Sequence, residues 1–309
     1  MQVLRLGTRG SKLALWQAEY VARELSSHLA GVEIKIVTIK TKGDKIMDVP
    51  LAQIGDKGLF THEIENELLN GKIDMAVHSM KDLPSLLGEG LCLGAVLPRE
   101  NPQDVLISTR HQSLAALPAG AVIGTSSLRR AAQLKKLRPD IKLVNMRGNV
   151  ETRIRKMREQ GLDGIILAYA GVKRLGYDKF ISEIIAAQDI LPAVGQGAVA
   201  IELRSDDQAT SRLVQTINDY DTWLETTAER AFLARLEGGC QVPIACLARK
   251  EEEQVRINGL VASLDGSKMY KAATECGFDD VAASGRQLAE QLLAMGADKI
   301  LDEIRLQGE

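Results

Sequence analysis

The chain has 309 residues, 45% of them hydrophobic and 26% charged, with a formal net charge of −2. This is the mix of a globular protein of two or three domains, and it excludes disordered, collagen-like and coiled-coil chains. No stretch approaches the roughly 20 apolar residues of a membrane helix, and the amino terminus lacks a basic segment followed by a long apolar one, so the expected location is cytoplasmic with no membrane partner.

In chain order, strands are predicted over 3–6, 32–39 and 73–77, interleaved with helices over 13–25 and 59–69. Short β-rich runs alternating with amphipathic stretches are the grammar of an α/β fold. The insertion 41–58, rich in Gly and charge, reads as a lid or a surface loop. The same grammar returns as strands over 121–123, 141–144 and 165–167, with helices over 128–137 and 150–160. Two similar lobes are implied. Local echoes agree: Gly7-Thr8 with Ser11 before one helix resembles Gly124-Thr125 with Ser127 before another. Such helix starts offer N–H groups, hydroxyls and a positive dipole end to an anion, although plain N-capping explains any single Ser equally well. In open α/β sheets, ligands lie beyond the carboxyl ends of the strands, so residues after Val77 and Leu167 become site candidates.

Pro98, Pro102, Pro192, Gly195 and Gly197 punctuate two crossings between the lobes, with 198–203 returning as a strand to the first. From Tyr220 a long helix runs to Gly238-Gly239, followed by extended runs around 255–264 and 269–275 and a helix over 281–295, a smaller α+β unit. The expected division is 1–97 plus 198–217, 98–197 and 218–309.

Four cysteines (Cys92, Cys240, Cys246, Cys276) are irregularly spaced without CxxC, which argues against disulfides and thiolate metal centres. His28, His62, His78 and His111 do not fall at ligand spacing, and neither GxGxxG nor a Walker loop occurs, so no metal is expected.

Charge is unevenly placed. Residues 125–158 hold eleven basic against two acidic side chains, a net +9 that leaves −11 for the rest. Part of this run is a solvated helix face, but Arg129, Arg130 and Arg147 sit where strands give way to helices and point to an anionic ligand. Nucleic acid fits poorly, because the chain is slightly acidic and none of its 11 aromatic residues interleaves with the basic run. Arginine at loop positions favours bidentate capture of carboxylates on a small molecule.

Three islands stand out: His78-Ser79-Met80-Lys81-Asp82-Leu83-Pro84, then Gly124-Thr125-Ser126-Ser127-Leu128-Arg129-Arg130, then Leu236-Glu237-Gly238-Gly239-Cys240-Gln241-Val242-Pro243. With Thr8-Arg9-Gly10-Ser11, Lys57-Gly58-Leu59-Phe60, Asn145-Met146-Arg147-Gly148-Asn149 and Leu191-Pro192-Ala193-Val194-Gly195-Gln196-Gly197, the chain resembles the porphobilinogen deaminases (hydroxymethylbilane synthases) nearly end to end. The resemblance implies two doubly wound, periplasmic-binding-protein-like α/β domains around a cleft, plus a small α+β C-terminal domain. It also implies a covalent dipyrromethane cofactor, self-assembled from porphobilinogen. Four porphobilinogen molecules join head to tail, each losing ammonia, and water releases the linear tetrapyrrole from an enzyme that works as a monomer.

By match, Asp82 is the catalytic carboxylate. Loss of ammonia creates an electron-poor azafulvene whose charge the pyrrole nitrogen shares, and a carboxylate stabilises it. Cys240 is expected to carry the cofactor as a thioether, a bond that survives hydrolysis, on a loop that Gly238-Gly239 lets approach closely; Cys92, Cys246 and Cys276 are read as apolar fillers. The match places Lys81, Ser79, Thr125, Ser127, Arg129, Arg130, Arg147 and Gly148 on the cofactor, and Arg9, Ser11, Phe60, Ser126, Arg153, Arg174 and Gln196 on the substrate chain, whose acetates and propionates account for the arginines. Lys12 stands where many relatives have Pro, and Asp56 where Gly is common. The rival reading is a non-catalytic hinged receptor for small organic anions.

Overall fold

The computed structural model describes residues 2–29, 31–45, 61–237 and 242–308. Strand β1 (Gln2–Arg9), helix α1 (Lys12–His28), β2 (Val32–Ile39), α2 (Lys42–Lys45), α3 (His62–Leu69), β3 (Met75–Ser79) and β4 (Leu91–Val96) open the first lobe. The second is built from β5 (Asp104–Ile107), β6 (Val122–Gly124), α4 (Leu128–Leu137), β7 (Lys142–Val144), α5 (Val150–Glu159), β8 (Gly164–Ala168), α6 (Tyr169–Arg174) and β9 (Ile181–Ile184). Then come β10 (Val199–Arg204) and α7 (Gln208–Gln215), back in the first lobe, and the last unit: α8 (Tyr220–Arg235), β11 (Ile244–Glu251), β12 (Gln254–Ala262), β13 (Met269–Cys276), α9 (Val281–Leu292) and α10 (Asp298–Gly308).

The two lobes have one topology. The first sheet runs β2-β1-β3-β10-β4 and the second β7-β6-β8-β5-β9. In each, the three strands β2-β1-β3 or β7-β6-β8 are parallel, and the fourth, β10 or β5, runs antiparallel to its neighbours. That fourth strand is the one the chain reaches by crossing from the other lobe, so each crossing is stitched into both sheets. The carboxyl ends of β1, β3, β6 and β8 therefore deliver Arg9, Ser79, Gly124 and Ala168 towards the gap between the lobes.

The periodicity predicted from sequence coincides with these elements: β2 and α4 have the predicted ends, and the returning strand is β10, one residue later than expected. α2, β4, β5, α6, β9, α7, β11 and α10 were not anticipated. β11 follows the Val242-Pro243 segment with no alternating pattern because its first five residues are all buried, and α10 follows α9 across a kink within Leu293–Ala297, where Gly296 leaves the helical region at φ 113°.

Packing explains the Gly of the first Gly-Thr echo. A Cβ on Gly7 would lie 2.3 Å from the Ile73 side chain, so the strand end can be closed over by the core only without one. Each lobe buries its own apolar cluster, around Leu6, Val77 and Ile201 in the first and around Leu106, Ile123 and Ile166 in the second. The third unit centres on Phe232, which is fully buried against β12 and α9; truncating such a side chain to Ala costs about 3–5 kcal/mol. Ala132 of α4 joins Ala245, Leu260 and Ala262 in a small cluster that seats the third unit on the second lobe.

The crossings are tied to the third unit by a buried ion cluster. Arg99 donates to Glu225 at 3.1 Å and to both oxygens of Glu229 at 2.7 and 3.1 Å, and from Nε to the Gln196 carbonyl at 2.9 Å. Glu229 also accepts from the backbone N–H groups of Gly195 (2.6 Å) and Ala248 (2.8 Å). Among the described residues, no helix is long and apolar enough to cross a membrane.

Candidate active site

Beyond the end of β3 the chain makes one 3₁₀ turn, Met80–Asp82, which lifts Asp82 to the surface of a cleft while Met80 stays buried. The turn is fixed from two sides. Met80 N–H donates to the Ala198 carbonyl at 3.1 Å, and Gly195, at φ 67°, approaches so closely that a Cβ there would lie 2.3 Å from the Met80 side chain. Asp82 shares a solvent-open space of about 410 Å³ with Arg9, Ser11, Gln17, His78 and Ser79. The Ser79 hydroxyl and the Gln17 amide are hydrogen-bonded at 2.9 Å, and Ser11 caps α1 by accepting from the Ala14 N–H at 3.3 Å.

Lys81, half-buried, is pulled down to about 8 first by burial and also by the positive Arg130 and Arg129, against the opposing attraction of Asp82 and Asp104. An ammonium of the first lobe therefore sits within electrostatic reach of the second lobe's arginines.

On that second wall the α4 N-terminus repeats the arrangement at α1. Ser127 caps it, accepting from the Arg130 N–H at 3.4 Å, and the Thr125 hydroxyl accepts from the Ser127 N–H at 3.3 Å. Ser126 lies between them, half-buried. Arg129 and Arg130 are only 5% exposed, and the carboxylate they hold is the chain's own Asp104. Arg129 donates to Oδ2 at 2.8 Å and Arg130 to Oδ1 at 2.7 Å. Gln196 completes the cluster, donating to Asp104 Oδ1 at 2.8 Å. The arginines hold the Asp104 carboxyl well below the usual carboxylate range despite its complete burial. Two guanidiniums against one carboxylate leave a net positive charge in the wall, and the Arg130 Nε is buried with no hydrogen-bond partner among the described residues.

The wall continues through Arg147 and Arg153. Gly148, at φ 122°, follows Arg147 and offers its carbonyl to the Arg153 Nε at 2.7 Å. Burial, then Arg130 and Arg147, pull Arg153 down to about 10, so it remains a cation at neutral pH. Arg174 stands at the seam of the lobes, donating to the Gly197 carbonyl at 2.7 Å with its guanidinium 5.3 Å from the Trp16 ring centre. Lys12, the residue that departs from many relatives, bridges the lobes by donating to Glu151 at 2.6 Å.

Of the residues singled out from sequence, Cys240, Phe60 and Asp56, with the 46–58 part of the expected lid, lie outside the described residues. What is described is the support of the cysteine loop. α8 ends at Arg235, Leu236 follows, and Glu237 turns the chain at φ 51°. Arg230, some 9 Å earlier along the helix at 1.5 Å per residue from Leu236, donates to the Ser85 carbonyl at 3.0 Å. The helix that leads to Cys240 thus packs against the loop that carries Asp82. Cys246 is fully buried, and Cys92 and Cys276 are half-buried against apolar clusters.

Asp104, Arg99, Glu229 and the buried partner of His78, Glu202, went unmarked in the sequence. An acidic residue at the start of an apolar strand was the available signal for Asp104, since an isolated charge rarely enters a core without a partner.

Set on this frame, the likeness to known proteins covers the chain. The family model described as "Porphobilinogen deaminase, dipyromethane cofactor binding domain" matches residues 4–212, and "Porphobilinogen deaminase, C-terminal domain" matches residues 223–294. The porphobilinogen deaminase of Syntrophomonas wolfei is 59% identical over 99% of this chain and 100% of its own. Those of Carboxydothermus hydrogenoformans and Moorella thermoacetica are 54% and 52% identical, over 97% and 98% of this chain and 96% and 97% of theirs. Among solved structures, the methionine-binding protein MetQ aligns with a TM-score of 0.43 at 13% identity over 72% of this chain and 92% of that one. The chain belongs to the porphobilinogen deaminase family.

Proposed function

We propose that this chain is a transferase, a hydroxymethylbilane synthase that joins four porphobilinogen molecules head to tail with release of four ammonia and hydrolyses off the linear tetrapyrrole, in the cytoplasm and as a monomer. The observation that carries the reading is a single carboxylate, Asp82, raised into a cleft whose opposite wall holds a surplus of buried arginine. A dipyrromethane group suits this donor set. A net-positive wall with an unsatisfied guanidinium N–H would meet its carboxylates, the exposed Asp82 would accept from its pyrrole N–H groups, and Cys240 would supply the thiol. When bound, it provides the pyrrole carbon to which the first substrate is added.

The chain's residues divide the work. Asp82 accepts hydrogen bonds from pyrrole N–H groups and stabilises the cation left when ammonia departs, in a site whose dipoles are already oriented. Lys81, Ser79, Thr125, Ser127, Arg129, Arg130, Arg147 and Gly148 hold the cofactor's carboxylates. Arg9, Ser11, Phe60, Ser126, Arg153, Arg174 and Gln196 hold those of the growing chain. Of these, Arg129, Arg130 and Gln196 act with Asp104 as a pre-oriented unit, because each guanidinium is fixed by Asp104 and by a backbone carbonyl, that of Leu191 for Arg129 and that of Ile166 for Arg130, which sets where its positive charge stands. The test is incubation with porphobilinogen. The synthase releases four ammonia per linear tetrapyrrole; binding without ammonia release would overturn the reading in favour of a receptor.

A further inference from the structure

His78 lies on β3, four residues before Asp82, and lines the same cleft although it is only 6% exposed. Its Nε2 is 3.1 Å from Oε2 of Glu202, a carboxylate with no exposure. The pairing of β3 with β10 sets Ala200 opposite His78 and Glu202 opposite Ala76, so the two side chains meet diagonally on one face of the sheet. The second oxygen, Oε1, is buried with no hydrogen-bond partner among the described residues. In native cores such an atom is met by a ligand group or an ordered water, or serves catalysis. Because a carboxylate only accepts, Nε2 carries the proton in the neutral imidazole and Nδ1 carries the lone pair.

We propose that His78, oriented by Glu202, is the proton acceptor of the condensation. This rests on the function proposed above. As the C–N bond of the incoming porphobilinogen's aminomethyl group, protonated as an ammonium, breaks, neutral ammonia leaves with the bonding pair. The free α-carbon of the terminal pyrrole then attacks the methylene carbon to form the C–C bond, its C–H proton passes to the imidazole, and the imidazolium returns it to water. The chemistry favours two groups over one. Asp82 is engaged by pyrrole N–H groups while the rings carry positive charge, and a separate base takes the C–H proton while those hydrogen bonds are kept. Glu202 supplies the countercharge for the imidazolium. Among the described residues, the charged and titratable groups around the pair are Arg9 at the end of β1, Asp82 on the turn, Arg230 on α8 and the Cys92 thiol on β4.

The experiment uses the cofactor-loaded enzyme, its loading checked by intact mass, and measures kcat and KM for porphobilinogen against pH. His78→Gln keeps an amide N–H for Glu202 but cannot titrate. It is expected to lower kcat roughly a hundredfold, to leave KM within about twofold, and to remove the imidazole's acid limb from the kcat profile. Glu202→Gln is expected to keep that limb but move it to lower pH, because the imidazolium has lost its countercharge. His78→Gln with unchanged kcat, or with reduced kcat and an unchanged profile, overturns the proposal. Should His78→Gln fail to load cofactor, an unmoved limb in Glu202→Gln overturns it. A wild-type enzyme that releases no ammonia sinks the assigned function instead.

Discussion

Arg130 donates from Nη2 to Oδ1 of Asp104 at 2.7 Å, and the two side chains are 7% and 0% exposed. Arg129 takes the other oxygen. Asp104→Asn therefore leaves two buried guanidiniums without a countercharge, a change that costs about 3–5 kcal/mol. Calorimetry is expected to show a melting temperature lower by roughly 10 °C, with cofactor loading impaired in the folded fraction.

The same pair makes an acid-stability prediction. The folded state holds the Asp104 carboxyl below its unfolded value, which lies near 3.9. The stability it contributes is complete above about pH 4 and is lost as pH falls further, because the unfolded chain then binds the proton first. Acid unfolding of wild type should steepen below about pH 4, whereas Asp104→Asn should lose that component.

Asp82 is exposed on its turn, so Asp82→Asn removes charge without disturbing packing. Turnover is expected to fall by about 10²–10⁴ with an unchanged melting temperature. Wild-type rates in this variant would remove Asp82 from the mechanism. The tether is checked by mass alone: the loaded enzyme should weigh two pyrrole units more than its sequence, and Cys240→Ser should not.

The two-lobe architecture was legible because short β-rich runs alternate with helical stretches in both halves and the first helix of each lobe, α1 or α4, starts after Gly-Thr with a Ser cap, all local signals. Arg129 and Arg130 stood out from their place at a helix start as clamps for a ligand's carboxylates, while the carboxylate the structure shows them holding is Asp104. That partner was not legible, since Asp104 meets them only when β5 is inserted antiparallel between β8 and β9, a long-range event that no local period records. The same holds for Glu202, brought to His78 by the strand that returns after the second crossing.

Lys81 sets a limit on the alkaline side. Burial and the neighbouring arginines lower it to about 8. An anion-binding ammonium at this position is lost as pH rises through that value in the free enzyme. The rate of cofactor loading by the cofactor-free chain, in which that ammonium does not yet meet the bound group's carboxylates, is expected to fall above about pH 8. Lys81→Arg should carry that limb several units higher, and an unmoved limb would assign it to another group.

Arg99 tests what holds the three units together. It bridges Glu225 and Glu229 of α8 while its Nε reaches Gln196 in the other crossing, and its side chain is 3% exposed. Arg99→Leu leaves Glu229, which is fully buried, with the Gly195 and Ala248 N–H groups as its donors among the described residues. Breaking a buried pair from one side costs about 3–5 kcal/mol, most of it the stranded charge. Neutralising that charge as well, in Arg99→Leu with Glu229→Gln, should therefore recover part of the loss rather than add to it. A double-mutant cycle read by thermal unfolding decides the matter. Strictly additive losses would mean that the two side chains are not coupled, and that the crossings are held to α8 by backbone contacts instead.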